Sequence, residues 1–309
     1  MQTYAPIALF TYNRADKSQR AVESLLQNKE AKYSDLFVFS DGPKTSEKKA
    51  GVEENRKYIH TISGFNSVHI IEREKNWGLA NSLIAGITEV INKYGKVIVV
   101  EDDLILSPYF LKFMNDGLEK YKDDDRVSSI SGFIPPVKEK LPNTFFLRYF
   151  ECWGWATWDR AWKLLNTDTK YLLRKIRMKT YDFNLDGSCG LYGILYCQNV
   201  GTVDSWYIRL YASFYLKGKL TLYPGKPMVE NGGLDGSGTH CRKAEHSTNI
   251  VHPEVVPIQI KDIEVIENAY ARKCIACTFK RNIPHRNFIA SSYCRFKSFL
   301  RRLLLIDCI

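Results

Sequence analysis

Three adjacent acids, Glu101-Asp102-Asp103, are the residues whose chemistry stands out in this chain. Carboxylates so close repel one another unless a cation or a donor neutralises them, and Asp oxygens suit hard divalent ions that also hold phosphates. The triplet therefore calls for a divalent metal and an anionic substrate. Its setting sharpens the reading. Val97-Ile98-Val99-Val100 precede it, four β-branched apolar residues that read as a strand buried on both faces, with the acids at its carboxyl end. Ser107 is a good helix cap and Pro108 a good first helical residue, so a helix is expected over Tyr109 to Tyr121. Open α/β sheets bind ligands at that edge.

The elements that would position the triplet alternate along the first half. Ile7 to Tyr12 reads as a strand, ended by Asn13-Arg14 before a helix with Ala21, Val22, Leu25 and Leu26 on one face. Leu36 to Ser40 is a second strand, stopped by Asp41-Gly42-Pro43. A charged helix over about Ser46 to Ile62 and a strand at Val68 to Ile71 follow. Asn76-Trp77-Gly78-Leu79-Ala80-Asn81 then opens a helix through Ile91. Strands alternating with helices imply right-handed βαβ units and a parallel sheet. Arg14, Asp41, Asn76 and the triplet then share one sheet edge. No G-x-G-x-x-G follows the first strand and no G-x-x-x-x-G-K-[ST] occurs, so phosphate must be held another way, and a carboxylate-bound divalent ion is the obvious one.

After a strand at Val127 to Ser131 the alternation stops. Cys152-Trp153-Gly154-Trp155-Ala156-Thr157-Trp158 carries three indoles, with Trp162 beyond. Trp155, Trp158 and Trp162 form a helical stripe assigned to packing, while Trp153 is left as a flat face for a sugar ring. Asp204 or Ser205 would cap an apolar helix from Trp206 to about Leu216. Asn231 to His240 is too glycine-rich for regular structure and reads as a loop that brings backbone N–H groups and His240 near a ligand.

The 309 residues, 45% apolar and 25% charged, suit a folded α/β protein with an ample core. No apolar run is long enough to span a bilayer, and the start has no basic leader, so a cytoplasmic protein is expected. The net charge of +10 is concentrated near the end, where residues 270–309 hold nine Lys/Arg against one acid. There Phe296, Phe299, Leu300, Leu303 and Leu304 recur at helical spacing beside Arg295, Lys297, Arg301 and Arg302, a pattern that fits either an anionic membrane surface, on the inner face of the cytoplasmic membrane, or a last helix packed on the body. The nearly neutral body gives nucleic acid no basic face. Eight cysteines without framework spacing read as free thiols, and Cys274-x-x-Cys277 lacks the second pair that zinc requires.

Phe39-Ser40-Asp41-Gly42, Glu101-Asp102-Asp103-Leu104 with Ser107-Pro108-Tyr109-Phe110, Trp153-Gly154-Trp155, Asp204-Ser205-Trp206 and Gly236-Ser237-Gly238 together resemble the ordered motifs of GT-A glycosyltransferases of the N-acetylglucosaminyltransferase I type. Asn76 to Asn81 resembles the nucleotide-binding segment of the family 2 transferases. The resemblance implies a GT-A fold, a mostly parallel sheet flanked by helices. Its donor half would span residues 1–132 and its acceptor and catalytic half 133–266, with a basic tail over 267–309. It implies a nucleotide-sugar donor, UDP-linked by expectation, and Mn²⁺ or Mg²⁺. Asp103 and His240 would bind the ion. Glu101 and Asp102 would contact sugar and ribose, and Arg14, Asp41, Asn76 and Ser237 would hold the rest of the donor. Trp153 and Trp206 would face the acceptor, a carbohydrate or lipid-linked saccharide, and Asp204 would be the general base of an inverting transfer. Two departures stand out: Ser205 where the family has a second acid, and His240 displaced from the usual Ser-His-Gly order. Without an anchor or stem, the chain resembles a bacterial surface-polysaccharide transferase. A nucleotidyltransferase is the chemical alternative, but Thr11 to Asp16 lacks its Gly- and Lys/Arg-rich loop. A non-catalytic carbohydrate-binding module is the other.

Overall fold

The computed structural model describes residues 4–235 and 252–282. The chain opens with β1 (Ile7–Thr11), α1 (Ala15–Leu26), β2 (Asp35–Ser40), α2 (Lys49–Ile59), β3 (Ser67–Glu72), α3 (Leu79–Tyr94) and β4 (Lys96–Glu101). Strands β1 to β4 pair in parallel in the order β3-β2-β1-β4, as the alternation predicts. Consecutive strand residues face opposite sides, so the apolar runs feed two cores. Ala8, Phe10, Val97 and Val99 enter one, covered by Leu83, Ile87 and Val90 of α3. Ile7, Leu9, Ile98 and Val100 enter the other, covered by Val22 and Leu25 of α1. Each such side chain contributes about 1.5–3 kcal/mol on burial.

Register sets the site. Thr11 lies opposite Ser40, Ser40 opposite Glu72, and Phe10 opposite Glu101, so the carboxyl ends of the four strands form one row. Arg14, Asp41, Arg73 and Asp102 follow just beyond it.

The second half keeps the expected strand at Val127–Ser131 and helix at Trp206–Leu216 and departs from the simple alternation elsewhere. It comprises β5 (Leu104–Leu106), α4 (Phe110–Lys120), β6 (Val127–Ser131), β7 (Thr144–Leu147), β8 (Trp155–Trp158), α5 (Asp159–Trp162), α6 (Thr169–Ile176), α7 (Thr180–Phe183), α8 (Leu191–Asn199), α9 (Trp206–Leu216), β9 (Leu220–Pro224), β10 (Val229–Asn231) and α10 (Ala269–Asn282). Strand β8 enters the sheet antiparallel beside β4, and the eight-stranded order continues β8-β6-β9-β7, so strands from both sides of residue 132 share one sheet. The tryptophan stripe is thus not helical. Trp155 and Trp158, an odd number of strand residues apart, point to opposite faces: Trp155 joins Trp162 in the core under α3, and Trp158 enters the core under α1 and α4. Because β8 runs against β4, its leading residues Glu151 to Gly154 arrive at the carboxyl edge.

Helix α4 follows the expected bounds to within one residue at each end, and β5 ahead of it pairs with β10. Ser107 still serves the turn: its Oγ accepts from the Tyr109 N–H at 3.1 Å and its carbonyl from the Phe110 N–H at 3.0 Å.

Residues 269–282, expected to begin a basic tail, are a helix whose Ala271, Cys274, Ile275 and Ala276 are core residues. Arg272 fixes it, donating to both oxygens of Asp186 at 2.9 and 3.0 Å, to Asp182 at 2.9 Å and to Glu267 at 3.0 Å. Leu185 and Asp186 have positive φ, 48° and 56°, a conformation that costs non-glycine residues and must be held by its surroundings. Arg272→Ala should therefore lower unfolding stability by about 1–3 kcal/mol, measured by urea denaturation, since it leaves Glu267, the least exposed of the three acids, without its guanidinium partner. A loss below about 1 kcal/mol would mean that the helix is held by its apolar face alone. The remaining residues of the expected tail, and the amphipathic stripe within it, lie outside the described residues.

Candidate active site

The triplet stands at the end of β4, at the middle of the edge. The Asp102 N–H donates to the Phe10 carbonyl at 3.0 Å, which fixes the turn. Arg14 Nη2 donates to Asp102 Oδ1 and, at 3.2 Å, to Asp103 Oδ2. Arg14 thus sits on the carboxylates rather than apart from them. Arg14 Nη1 and Asp102 Oδ2 are both buried without a partner among the described residues, two polar atoms that a ligand would satisfy. Burial and its acidic neighbours push Glu101 up to about 8. Burial raises Asp102 to about 6 against the opposing pull of Arg14.

Segment Asn231–Gly233 crosses the tip of the triplet. The Gly232 N–H donates to the Asp103 carbonyl at 2.7 Å, Lys17 Nζ donates to the Gly232 carbonyl at 2.6 Å, and Asn231 Oδ1 accepts from the Gly233 N–H at 2.7 Å. The glycine-rich stretch expected to be irregular therefore begins as a strand and a 3-10 turn, Gly232–Asp235, anchored on Asp103. A Cβ on Gly233 would lie 2.6 Å from Asp103 Oδ2. Gly233→Ala should displace that carboxylate and cut activity at least as far as a lost outer contact at a metal site, about tenfold, while stability falls by no more than about 1–3 kcal/mol. Full activity in the alanine variant would show that Asp103 tolerates displacement. Ser237 and His240 lie outside the described residues.

Asp41 and Asn76 build the neighbouring loop. Asp41 Oδ1 accepts from the N–H groups of Gly42 and Trp77 at 3.0 and 2.9 Å, Oδ2 from that of Gly78 at 3.0 Å, and Asn76 Nδ2 donates to the Gly42 carbonyl at 2.7 Å. Gly42 is required there, because a Cβ would come within 2.5 Å of the Lys75 backbone. This frame presents Trp77, an exposed indole with the Arg73 guanidinium 4.0 Å from its ring centre. Sequence reasoning missed that pair, although Trp77 stood inside a motif it had singled out.

On the far side, Glu151 was also missed. It is partly buried, its Oε2 accepting from the Tyr149 hydroxyl at 2.7 Å and its Oε1 from the Cys152 N–H at 3.2 Å, and burial raises its pKa. Burial pushes the Cys152 thiol well above its usual range, with Glu151, Glu101 and Asp103 adding to the effect, so Cys152 is a neutral thiol close to the acids. The Tyr207 hydroxyl donates to the Phe150 carbonyl at 2.9 Å and ties the start of α9 to this stretch. Ser205 caps α9, its Oγ accepting from the Ile208 N–H at 3.3 Å. Asp204 is left exposed, paired with Arg209 at 3.2 Å. Trp153 is partly buried with its ring edge-on to Phe133 at 4.5 Å. The acceptor role expected of Trp206 is corrected: it is 4% exposed and stacked on Trp155 at 5.7 Å, so its indole packs in the core and offers no face to a sugar.

Among the described residues no three His, Cys, Asp or Glu side chains are grouped as a metal cage. An Mg²⁺-like ion does not need one, since it is bound through one or two carboxylates together with substrate phosphates and water. Hard oxygens of the triplet, one of them buried and unpartnered, fit that mode.

The half-parallel α/β sheet carries its acids at the carboxyl edge. Residues 7–184, more than half of the chain, match the model of glycosyl transferase family 2, and the chain belongs to that family. It is therefore a glycosyltransferase of GT-A type. Among solved structures it is similar to the mannosyltransferase PcManGT from Pyrobaculum calidifontis in complex with GDP-Man and Mn²⁺, at 11% identity and a TM-score of 0.38, over 70% of this chain and 75% of that one. It is also similar to TarS of S. aureus (15%, TM-score 0.31, 44% of this chain and 23% of that one). A third is a UDP-glucose pyrophosphorylase complexed with UDP-glucose (12%, TM-score 0.39, 76% and 96%). No curated protein matches the chain in sequence.

Proposed function

We propose that this glycosyltransferase moves a sugar, a hexosyl or N-acetylhexosaminyl group, from a UDP-linked donor to a carbohydrate or lipid-linked saccharide in bacterial surface-polysaccharide synthesis, with inversion and with a divalent ion. The carrying observation is the triplet itself, three carboxylates at the sheet edge with a buried, unpartnered Asp102 oxygen and an unpartnered Arg14 nitrogen. In this reading residues 1–132 supply the donor half and 133–266 the acceptor half. Asp103 would hold Mn²⁺ or Mg²⁺, with Ser237 and His240 brought in from the segment after Asp235. The ion would neutralise charge that develops on the departing diphosphate.

The chain's own residues do the rest. Glu101 and Asp102 accept hydrogen bonds from sugar and ribose hydroxyls, and Arg14 keeps Asp102 and Asp103 aligned while its free Nη1 meets a phosphate oxygen. Asp41 and Asn76 act through the loop they shape, beside the base. Asp204 takes the proton from the acceptor hydroxyl, a role supported by its exposure now that Ser205 caps the helix. Trp153 lies at the acceptor side. No described helix is long and apolar enough to cross a membrane. The basic residues beyond α10 would attract anionic lipid at about 1 kcal/mol each, giving peripheral association that salt removes.

Calorimetry of UDP with Mn²⁺ and with EDTA tests the site. The expected result is binding roughly tenfold or more tighter with the ion. Equal affinity in the two buffers would sink the metal assignment.

A further inference from the structure

We propose that the outer face of α6 and of the turn that follows it docks on a bilayer carrying anionic lipid. Residues 169–181 hold five Lys/Arg, namely Lys170, Arg174, Lys175, Arg177 and Lys179, and no acid. None of the five has an acidic partner among the described residues. By contrast, Lys112 and Lys120 of α4 pair with Asp116 at 2.8 Å and Asp262 at 2.6 Å, and Lys163 after α5 pairs with Asp159 at 2.6 Å. The two flanking acids are engaged elsewhere: Asp168 accepts from the Tyr171 N–H at 3.0 Å, and Asp182 accepts from Arg272 at 2.9 Å. The face is therefore strongly positive on a body that is otherwise nearly neutral.

The same face exposes apolar surface. Leu172 and Ile176, four residues apart, are buried and hold the inner side of α6 on the core. Tyr171, Arg174, Lys175 and Met178 stand at i, i+3, i+4 and i+7, one outer stripe, and the Arg174 and Lys175 cations lie 5.9 and 5.8 Å from the Tyr171 ring centre. Met178, in the 3-10 turn Arg177–Lys179, is 87% exposed, and Tyr181 of α7 is 67% exposed. The ground beneath them is full: Phe183 stacks on Tyr211 at 4.7 Å, the Tyr211 hydroxyl donates to the Phe183 carbonyl at 2.7 Å, and the Tyr215 hydroxyl donates to Asp182 at 2.6 Å. A firm base thus presents a thioether and a phenol to the outside.

Charge makes the partner anionic, and the exposed apolar groups make it a lipid surface. Methionine is apolar and flexible, and tyrosine sits well between headgroups and acyl chains. Lys and Arg lay their stems along such a surface while their charged ends stay at the phosphates. A nucleic acid would use the charges but leave Met178 in water, and the Tyr171 ring it would need for stacking is already occupied by Arg174 and Lys175. A hollow of about 390 Å³, lined by Met178, Lys179 and Tyr181 with Arg148, Asp182 and Tyr215, gives a headgroup room beside the unpaired Lys179. Helix α9 separates this face from the catalytic edge, since Asp204 precedes its start and Tyr215 lies in its last turn, about 14 Å along the axis. The inference is independent of the transfer reaction, and the reaction can stand if it fails.

Co-sedimentation of the full chain with vesicles tests it. Vesicles of equal parts phosphatidylglycerol and phosphatidylcholine should carry the protein down at low salt, and vesicles of phosphatidylcholine alone should not. Arg174→Gln/Lys175→Gln should cut the partition coefficient about tenfold or more, the share of two cations at the surface, with an unchanged unfolding midpoint. Should that variant fold poorly, Lys170→Gln/Arg177→Gln reads the same face. Met178→Ser should lower binding about fourfold or more, the worth of one buried methylene. No binding by the full chain, equal binding to the two kinds of vesicle, or charge variants that bind within about twofold of the parent would each overturn the proposal. Loss of RNA retention with vesicle binding intact would overturn it in favour of a nucleic acid.

Discussion

Asp204→Asn is expected to keep donor affinity and fold while transfer to the acceptor falls by roughly 10² to 10⁴-fold, the usual worth of general-base catalysis. The structure removes the main competing role for this residue, because Ser205 rather than Asp204 accepts from the Ile208 N–H. What remains is an exposed ion pair with Arg209, and such pairs contribute at most about 1 kcal/mol. An Asn variant with normal stability and lost transfer therefore identifies a base. The informative readout is the split: kcat should collapse while UDP affinity in Mn²⁺ stays within about twofold, as an interaction made only in the transition state requires. Normal transfer in Asp204→Asn would move the role elsewhere, and Glu151, held by Tyr149 at the same edge, would be the next carboxylate to test.

Asp103→Ala should weaken Mn²⁺-dependent UDP binding by more than the roughly 10 to 100-fold that outer contacts alone cost at metal sites. Its folding cost should be small, since the Asp103 main chain, not its carboxylate, carries the bond to Gly232. The variant also removes one of the two carboxylate oxygens that accept from Arg14, while the contact to Asp102 remains. Circular dichroism and denaturation would establish the fold, and calorimetry the loss. Unchanged metal-dependent affinity in a folded Asp103→Ala protein would take the ion away from this residue.

The first half of the molecule was legible because parallel strands are buried on both faces. Val97 to Val100 are all core residues, and such a run can be read without a partner in view. The strand ends followed, and with them the grouping of Arg14 with the triplet. The second half was less legible because its strands are short and pair mostly antiparallel. Trp155–Trp158 is four residues long, and its indoles mimic a helical stripe although they serve opposite faces. Trp206 was expected to face the acceptor by resemblance alone, and its burial follows from a place in the core stacked on Trp155. Glu151 had no signal at all, since an isolated acid between Phe150 and Cys152 carries none until β8 brings it to the edge. Asp41 was legible as an important acid at a strand end, but not as one whose two oxygens both accept from backbone N–H groups. Side-chain identity shows what a residue can do; the backbone around it decides what it has left to offer.

The proposed function turns on metal-dependent activation of a nucleotide sugar at the Glu101-Asp102-Asp103 edge. Release of nucleoside diphosphate from a panel of nucleotide sugars tests it most directly, with each donor incubated without acceptor in Mn²⁺ and in EDTA. Slow hydrolysis of one UDP-sugar in Mn²⁺, absent in EDTA and absent in Asp103→Ala, is the predicted result. Equal release with and without the ion, or release that survives in Asp103→Ala, would contradict it.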